Sequence, residues 1–271
     1  MAATLPELET VTLRRGASNG AELRVELNRP ERMNAWDKQL GADLLAAVEL
    51  AAGDGGVRAV TITGAGRAFS SGADLRAGFD AGPDGRPDLG AVLRERYHPI
   101  ITGVRRMPKP VLAAVNGPAV GIGCSLALAC DLVIAAESAY FLLAFVNIGL
   151  VPDGGSSVFL PARAGAGRAA EMALLGECVP AATGRAWGLV DRLVSDDSFG
   201  DEVDALAERL ATGPTRAYAA AKEQLNARVY DGLEEQLELE ASLQQEMAGS
   251  ADFGEGVMAF LEKRAARFTG E

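Results

Sequence analysis

The chain has 271 residues, 48% of them hydrophobic, and a formal net charge of −11. This length can bury one substantial core, or a core plus a small appended domain, and the composition is typical of a folded rather than a disordered protein. The excess of 37 acidic over 26 basic residues disfavours nucleic acid and anionic membranes as bulk partners, because both attract cationic surfaces. The three cysteines lack zinc-site spacing, and the first ten residues lack the features of a secretory signal. We therefore expect a cytoplasmic location.

The first part of the chain alternates strand and helix patterns, which predicts an α/β fold. Val11–Leu13 and Leu23–Leu27 alternate like the arms of a β-hairpin, with a turn at Ala17–Gly20. Trp36–Ala52 has the apolar spacing of an amphipathic helix. Buried parallel strands are predicted where short apolar or β-branched runs occur, at Ala59–Thr63, Val111–Val115 and Leu132–Ala135.

The last part of the chain shows helical patterns only. Strand signals end near Ser195, and the helices are predicted at Asp201–Ala211, Thr215–Ala227, Leu233–Met247 and Asp252–Arg267. We therefore predict a core of residues 1–195 and a helical region of residues 196–271. Between the strands of the core, Ala77–Leu89 is rich in Gly, Pro and Asp without an apolar period, which predicts a mobile surface segment.

Two glycine-rich segments carry the strongest functional signal. Phe69–Leu75 and Asn116–Asp131 each have the pattern of an apolar strand, a glycine turn and a helix start. Such a turn leaves backbone N–H groups without partners, and glycine lets a ligand approach the backbone closely. Two such turns can direct two N–H donors at one oxygen, an oxyanion hole suited to a carbonyl that becomes an enolate.

These segments resemble the signature of the crotonase superfamily, the enoyl-CoA hydratases and isomerases. Other motifs of that family occur in the same order along the chain, at Leu27–Pro30, Asn34-Ala35, Gly149–Gly155, Ala186–Asp191 and Phe260–Arg264. The resemblance runs from about Leu23 to Phe268. It implies an α/β spiral of ββα turns followed by a helical oligomerisation region, which makes a homotrimer or a dimer of trimers.

The resemblance also implies the positions that contact substrate. Ala73 and Ile122 match the two oxyanion-hole donors of the family. The positions that match its CoA-binding residues are Arg32, Met33, Ser71, Asp74, Leu75, Phe260 and Lys263. In the family, the last two of these come from a neighbouring subunit. The resemblance implies no metal and no redox cofactor, because CoA is part of the acyl-CoA substrate.

The carboxylates depart from the pattern of the hydratases, which place a glutamate at each of two positions. Here those positions hold Ser125 and Phe145, so a hydratase that works through two glutamates is not encoded. Asp153 remains, in an apolar loop where burial raises the proton affinity of a carboxylate. One such carboxylate can remove and return a proton during a double-bond shift. The alternative is that Asp153 caps the following helix.

The sequence therefore predicts an enoyl-CoA isomerase with Asp153 as its single acid and base, and its pattern is closest to the phenylacetate-degradation isomerases. Several alternatives stay open: enoyl-CoA hydration, decarboxylation or dehalogenation on the same fold, and a non-catalytic acyl-CoA-binding scaffold. A serine hydrolase is disfavoured, although Gly123–Ala127 loosely resembles a nucleophile elbow. The one histidine, His98, precedes Ser125, whereas an α/β-hydrolase needs its histidine after the serine.

Overall fold

The polypeptide alternates short strands with helices and then continues as helices alone. The structure, a computed structural model, describes residues 5–16, 20–82 and 85–271. The strands are β1 (Val11–Gly16), β2 (Glu22–Leu27), β3 (Ala59–Gly64), β4 (Val111–Val115), β5 (Ala119–Val120), β6 (Leu132–Ala136), β7 (Tyr140–Leu142), β8 (Val179–Pro180) and β9 (Arg192–Val194). The helices are α1 (Lys38–Gly53), α2 (Leu89–Val92), α3 (His98–Arg106), α4 (Ile122–Ala129), α5 (Ser156–Leu175), α6 (Ala181–Trp187), α7 (Phe199–Thr212), α8 (Thr215–Val229), α9 (Leu233–Ala248) and α10 (Ala251–Glu262).

The main sheet of the described residues has the strand order β1-β2-β3-β4-β6-β9. The β1–β2 pair is the antiparallel hairpin predicted from alternation, and the other neighbours are parallel. Parallel neighbours require crossover connections, and these carry most of the helices. A smaller sheet joins β5, β7 and β8. The α/β prediction is confirmed, and β3, β4 and β6 lie within one residue of their predicted ends.

Strand β4 shows why the central strands are apolar throughout. Its residues alternate between two hydrophobic clusters, so that Ala113 faces one cluster and Leu112 faces the other. Helices α1 and α3 cover the first face, and α7 covers the second with Val203 and Leu206. A strand that is buried on both faces reads as a continuous apolar run. The predicted helix at Trp36 begins two residues later, because Asp37 is the N-cap and accepts the Leu40 N–H at 2.8 Å.

The C-terminal helices match their predicted positions, with one correction at the end of the chain. No strand follows Val194 in the part of the chain that the structure describes, while the division at residue 195 stays a prediction. Helix α10 ends at Glu262 rather than at Arg267. Lys263 takes a left-handed conformation (φ +56°), and its N–H group bonds back to the Ala259 and Phe260 carbonyls. This cap terminates the helix.

Two predicted loops fall partly outside the described residues. Residues 17–19 of the hairpin turn and residues 83–84 of the Ala77–Leu89 segment are not described. The described part of the latter contains a bridge between Ala81 and Pro87 and an ion pair from Asp80 to Arg96, and its mobility stays a prediction. None of the helices within the described ranges is long and apolar enough to cross a membrane.

Candidate active site

The two glycine turns predicted from the sequence lie side by side. Ser70 connects them, because its carbonyl accepts the Val120 N–H at 2.9 Å and its N–H donates to the Pro118 carbonyl at 3.0 Å. Gly72 and Gly121 face each other with φ values of +88° and +53°. A Cβ atom on Gly72 would lie 3.0 Å from the Val120 oxygen and 3.7 Å from the Gly121 Cα. Both the backbone conformation and this close approach therefore require glycine at position 72.

The residues that follow these glycines present unused backbone donors. Ile122 is the first residue of α4, so its N–H group has no partner within the helix. Ala73 lies between Gly72 and Asp74, whose carbonyl and N–H groups bond to Trp36. Neither the Ala73 nor the Ile122 N–H donates to an acceptor among the described residues. The geometry brings the two predicted donors to one cavity.

The cavity has a volume of about 800 Å³, within the usual range for small-molecule sites. Of the predicted site residues, those that line it are Arg32, Met33, Ser71, Ala73, Asp74, Leu75, Ile122, Asp153 and Phe260. Lys263 does not line it, and Arg264 does. Phe260 lines the cavity of its own chain, while its contribution to a neighbouring subunit stays a prediction.

Asp153 is a buried carboxylate at this cavity, with a relative exposure of 4%. Its Oδ2 atom accepts a hydrogen bond from Gln244 Nε2 at 2.8 Å. Its Oδ1 atom is buried and has no partner among the described residues. Burial and, to a smaller extent, the charge of Glu240 raise the pKa of Asp153, the Gln244 hydrogen bond opposes them, and the net pKa is about 8. At neutral pH this carboxyl group can hold or release a proton.

The alternative role of Asp153 as a helix cap is wrong. The cap of α5 is Gly155, with φ +78° and no side-chain hydrogen bond of its own. The carboxylate at this helix start is Glu240, whose oxygens accept the Gly155 N–H at 2.8 Å and the Ser157 N–H at 3.1 Å. The Ser157 hydroxyl donates to it as well. The Asp153 side chain therefore remains available to the cavity.

The two positions that hold glutamates in the hydratases are occupied without acid–base groups. Ser125 is fully buried, and its hydroxyl donates to the Asp153 carbonyl at 2.7 Å. Phe145 lines the cavity as an apolar wall. Gly154 packs so closely that a Cβ atom there would lie 2.9 Å from the Ser125 Cβ and 2.4 Å from the Ile122 Cδ1. Because the Ser125 hydroxyl donates to a main-chain carbonyl, Ser125 is disfavoured as a nucleophile.

The outer part of the cavity carries basic residues beside the loop that contains Asn34. Asn34 is buried and ties this loop to the end of β3 through hydrogen bonds to the Ala65 and Ala68 carbonyls at 2.9 and 2.8 Å. The Ser71 N–H donates to the Met33 carbonyl at 2.9 Å. The side chains of Arg32, Arg67 and Arg76 line this part of the cavity. Guanidinium groups bind phosphate oxygens in bidentate geometry.

The predicted residue Asp74 has a second use in the folded chain. Its carboxylate pairs with Arg29 at 3.2 Å, and Arg29 also pairs with Asp37 at 3.0 Å. Because this ion pair engages the Asp74 charge, its contact with a ligand would come mainly from the backbone and from shape.

A sequence model of the enoyl-CoA hydratase/isomerase family matches residues 18–271. The chain belongs to this family, within the crotonase superfamily. It is 46% identical over 259 residues to a protein of Rhodobacter capsulatus described as a probable enoyl-CoA hydratase, over 96% of this chain and 98% of the other. It is 41% identical to the 1,2-epoxyphenylacetyl-CoA isomerase of Escherichia coli, over 92% of this chain and 95% of the other.

Solved crotonase structures have the same fold. The crystal structure of an enoyl-CoA hydratase from Mycobacterium avium subsp. paratuberculosis matches with a TM-score of 0.87 at 38% identity, covering 97% of this chain and all of the other. The predicted crotonase fold is confirmed. Glu240 and Gln244 are the site residues that the sequence reasoning missed. Within the described ranges, no group of three or more His, Cys, Asp or Glu residues is placed to hold a metal ion.

Proposed function

We propose that this crotonase is an acyl-CoA isomerase that shifts a double bond, or opens a ring, through a thioester enolate. The observation that carries the proposal is a buried carboxyl group, Asp153, that lines the cavity and has one oxygen without a hydrogen-bond partner among the described residues, in a site whose two hydratase positions hold Ser125 and Phe145. Moving a proton between two carbons needs one such group. Adding water needs a group to activate the water and another to protonate carbon.

The reaction runs in two proton transfers. Asp153 removes a proton from C2 or C4 of an unsaturated thioester, and the electron pair moves into the conjugated system to give an enolate. The Ala73 and Ile122 N–H groups donate to the enolate oxygen, and a donor of this kind contributes roughly 2.7–4 kcal/mol to transition-state stabilisation. Asp153 then delivers the proton to the other carbon. The atoms of substrate and product are the same.

The outer part of the cavity serves the CoA portion in this proposal. Arg32 contacts phosphate, while Met33, Ser71, Asp74 and Leu75 follow the adenine and pantetheine. Phe260 and Lys263 reach the CoA of a neighbouring subunit. The exposed basic residues Arg32, Arg67 and Arg76 that line the cavity support the assignment. We also propose a homotrimer or dimer of trimers in the cytoplasm, with no added metal or redox cofactor.

The substrate class is proposed from one relative and from two aromatic residues that line the cavity. The 1,2-epoxyphenylacetyl-CoA isomerase is 41% identical. The residues that line the cavity include Trp36 and Tyr97, whose ring centroids are 5.2 Å apart in an edge-to-face arrangement. Aromatic side chains in this geometry suit a flat ring, so a phenylacetyl-derived thioester is the first substrate to test.

A mass-spectrometric experiment in D₂O distinguishes the isomerase from the second candidate, a hydratase, which the R. capsulatus relative favours. The protein is incubated with paired 2-enoyl- and 3-enoyl-CoA thioesters, both aliphatic and phenylacetyl-derived. Double-bond migration with deuterium incorporation and no gain of water supports the proposal. Rapid formation of 3-hydroxyacyl-CoA contradicts it and indicates a hydratase.

The variant Asp153→Asn tests the acid–base assignment. We expect a loss of roughly 10²–10⁴-fold in kcat, the usual range for a missing general base. Binding of an unreactive acyl-CoA, measured by calorimetry, should remain near that of the parent protein. Thioester binding without any proton exchange in the parent protein itself would favour the scaffold alternative.

A further inference from the structure

Helix α9 places two polar side chains in the interior, one turn apart. Glu240 has a relative exposure of 2%, and Gln244 of 1%. Residues four apart lie on the same face of a helix, and this face otherwise carries Leu237, Ala241 and Ala248, all buried. Buried polar groups are unfavourable unless they are hydrogen-bonded. The partners of these two side chains are therefore the first guide to their role.

Gln244 holds one oxygen of Asp153 and leaves the other free. Its Nε2 atom donates to Asp153 Oδ2 at 2.8 Å, and Gln244 lines the cavity beside Asp153. Asp153 Oδ1 accepts no hydrogen bond from the described residues. A carboxylate that is held by one oxygen has a fixed orientation, and its second oxygen then has a defined direction of approach to a substrate carbon.

Glu240 holds the main chain directly after Asp153. Its carboxylate accepts the Gly155 and Ser157 N–H groups at 2.8 and 3.1 Å and the Ser157 hydroxyl. The turn between Asp153 and α5 is thereby anchored to α9. Helix α9 therefore holds Asp153 in two ways. Gln244 bonds to the Asp153 side chain, and Glu240 bonds to the backbone that follows Asp153.

We propose that Gln244 and Glu240 are positioning residues: Gln244 holds Asp153 by Oδ2 so that Oδ1 transfers the proton, and Glu240 fixes the turn that carries Asp153. The inference deepens the proposed function and rests on it, because the proton transfer in question is the one assigned to Asp153.

The two residues act on the charge of Asp153 in opposite directions. The Gln244 hydrogen bond lowers the pKa of Asp153, and the negative charge of Glu240 raises it. Among the described residues, Tyr97 at the end of the π-helical segment Leu93–Tyr97 also interacts with this carboxyl group, and the charge of Asp153 contributes to raising the pKa of Tyr97. A purely structural role would not give two neighbouring substitutions opposite effects on the pH profile.

The test is the pH profile of kcat for deuterium exchange, measured on Gln244→Met and Glu240→Gln. Methionine keeps most of the volume of Gln244 and removes its donor. For Gln244→Met we expect the pH profile of kcat to move to higher pH, kcat at pH 7 to fall about 10-fold, and KM to change little. Glutamine at position 240 keeps an acceptor oxygen and removes the charge, so its profile should move to lower pH.

Two matched controls come from the same helix. Gln245→Met removes hydrogen bonds to Pro87 and Gly90, outside the cavity, and Glu238→Gln removes an exposed ion pair with Arg94. Neither should move the profile.

The outcomes separate this inference from the proposed function. Unmoved profiles for Gln244→Met and Glu240→Gln, or shifts in the same direction, overturn the inference if Asp153→Asn is inactive. An active Asp153→Asn enzyme overturns the proposed function itself. If Glu240→Gln does not fold, the profile of Gln244→Met alone decides, and a profile that does not move to higher pH overturns the inference.

Discussion

Replacing Asp153 by asparagine should stabilise the protein at neutral and alkaline pH while it lowers kcat roughly 10²–10⁴-fold. Burial raises the pKa of this carboxyl from 3.8 to about 8. Between these values the folded state binds a proton that the unfolded state has released, so the free energy of unfolding falls as the pH rises. The group's contribution to stability is fully present below pH 3.8 and is lost as the pH approaches 8.

The magnitude follows from linkage. Each pH unit between the two pKa values changes the free energy of unfolding by about 1.4 kcal/mol. From pH 5 to pH 8, the parent protein should therefore lose on the order of 4 kcal/mol relative to Asp153→Asn, which has no proton to release. Asparagine still offers Gln244 an acceptor oxygen, so the hydrogen bond of 2.8 Å can be retained.

The assay is urea unfolding of both proteins at pH 5, 6, 7 and 8, at one protein concentration, so that any effect of association is the same in all samples. The quantity of interest is the difference in the free energy of unfolding between the two proteins, followed as a function of pH. Asp231 is exposed, and Asp231→Asn serves as the control with no pH-dependent difference. A constant difference for Asp153→Asn from pH 5 to 8 would refute the raised pKa and the base assignment that depends on it.

The remaining predictions concern the rest of the site. For the parent enzyme, kcat should rise with pH towards a plateau above about pH 8, because the base must be ionised; a pH–rate profile that is flat from pH 6 to 9 contradicts this. Gly72→Ala should reduce kcat roughly 10²-fold through displacement of the Ala73 donor, because the new Cβ atom would lie 3.0 Å from the Val120 oxygen. Steady-state kinetics measures this effect, with circular dichroism as a folding control. Arg32→Ala should raise KM several-fold with kcat unchanged and weaken the salt dependence of KM; an equal loss with a thioester that lacks the CoA phosphates argues against phosphate contact.

The fold and half of the site follow from local sequence signals. The strands β3, β4 and β6 could be predicted because burial on both faces selects short runs of apolar and β-branched residues. The two glycine turns could be predicted because positive φ values at Gly72 and Gly121 can be met at low cost only by glycine. Both signals are contained within short windows of the chain.

The supports of Asp153 could not be predicted in the same way. Gln244 and Glu240 contact the loop across 91 and 85 residues of sequence, and no local pattern encodes a contact of that range. A signal was present, since both polar residues occupy the apolar face of a predicted helix with Leu237 and Ala241. That pattern indicates buried polar partners without saying which residues they bond.

Burial of Asp153 lowers the free energy of unfolding at neutral pH, and the same burial makes the group suitable for the proposed reaction. A carboxyl group with an ordinary pKa would be ionised throughout the neutral range and would return a proton to carbon poorly, whereas a pKa near 8 makes both forms accessible. Ser125 and Phe145 add no charge to this environment, in which burial and the charge of Glu240 already raise the pKa of Asp153. With neutral residues at both hydratase positions, one carboxyl group must take and return the proton in the proposed reaction, and its burial together with the charge of Glu240 gives it the raised pKa that allows both steps.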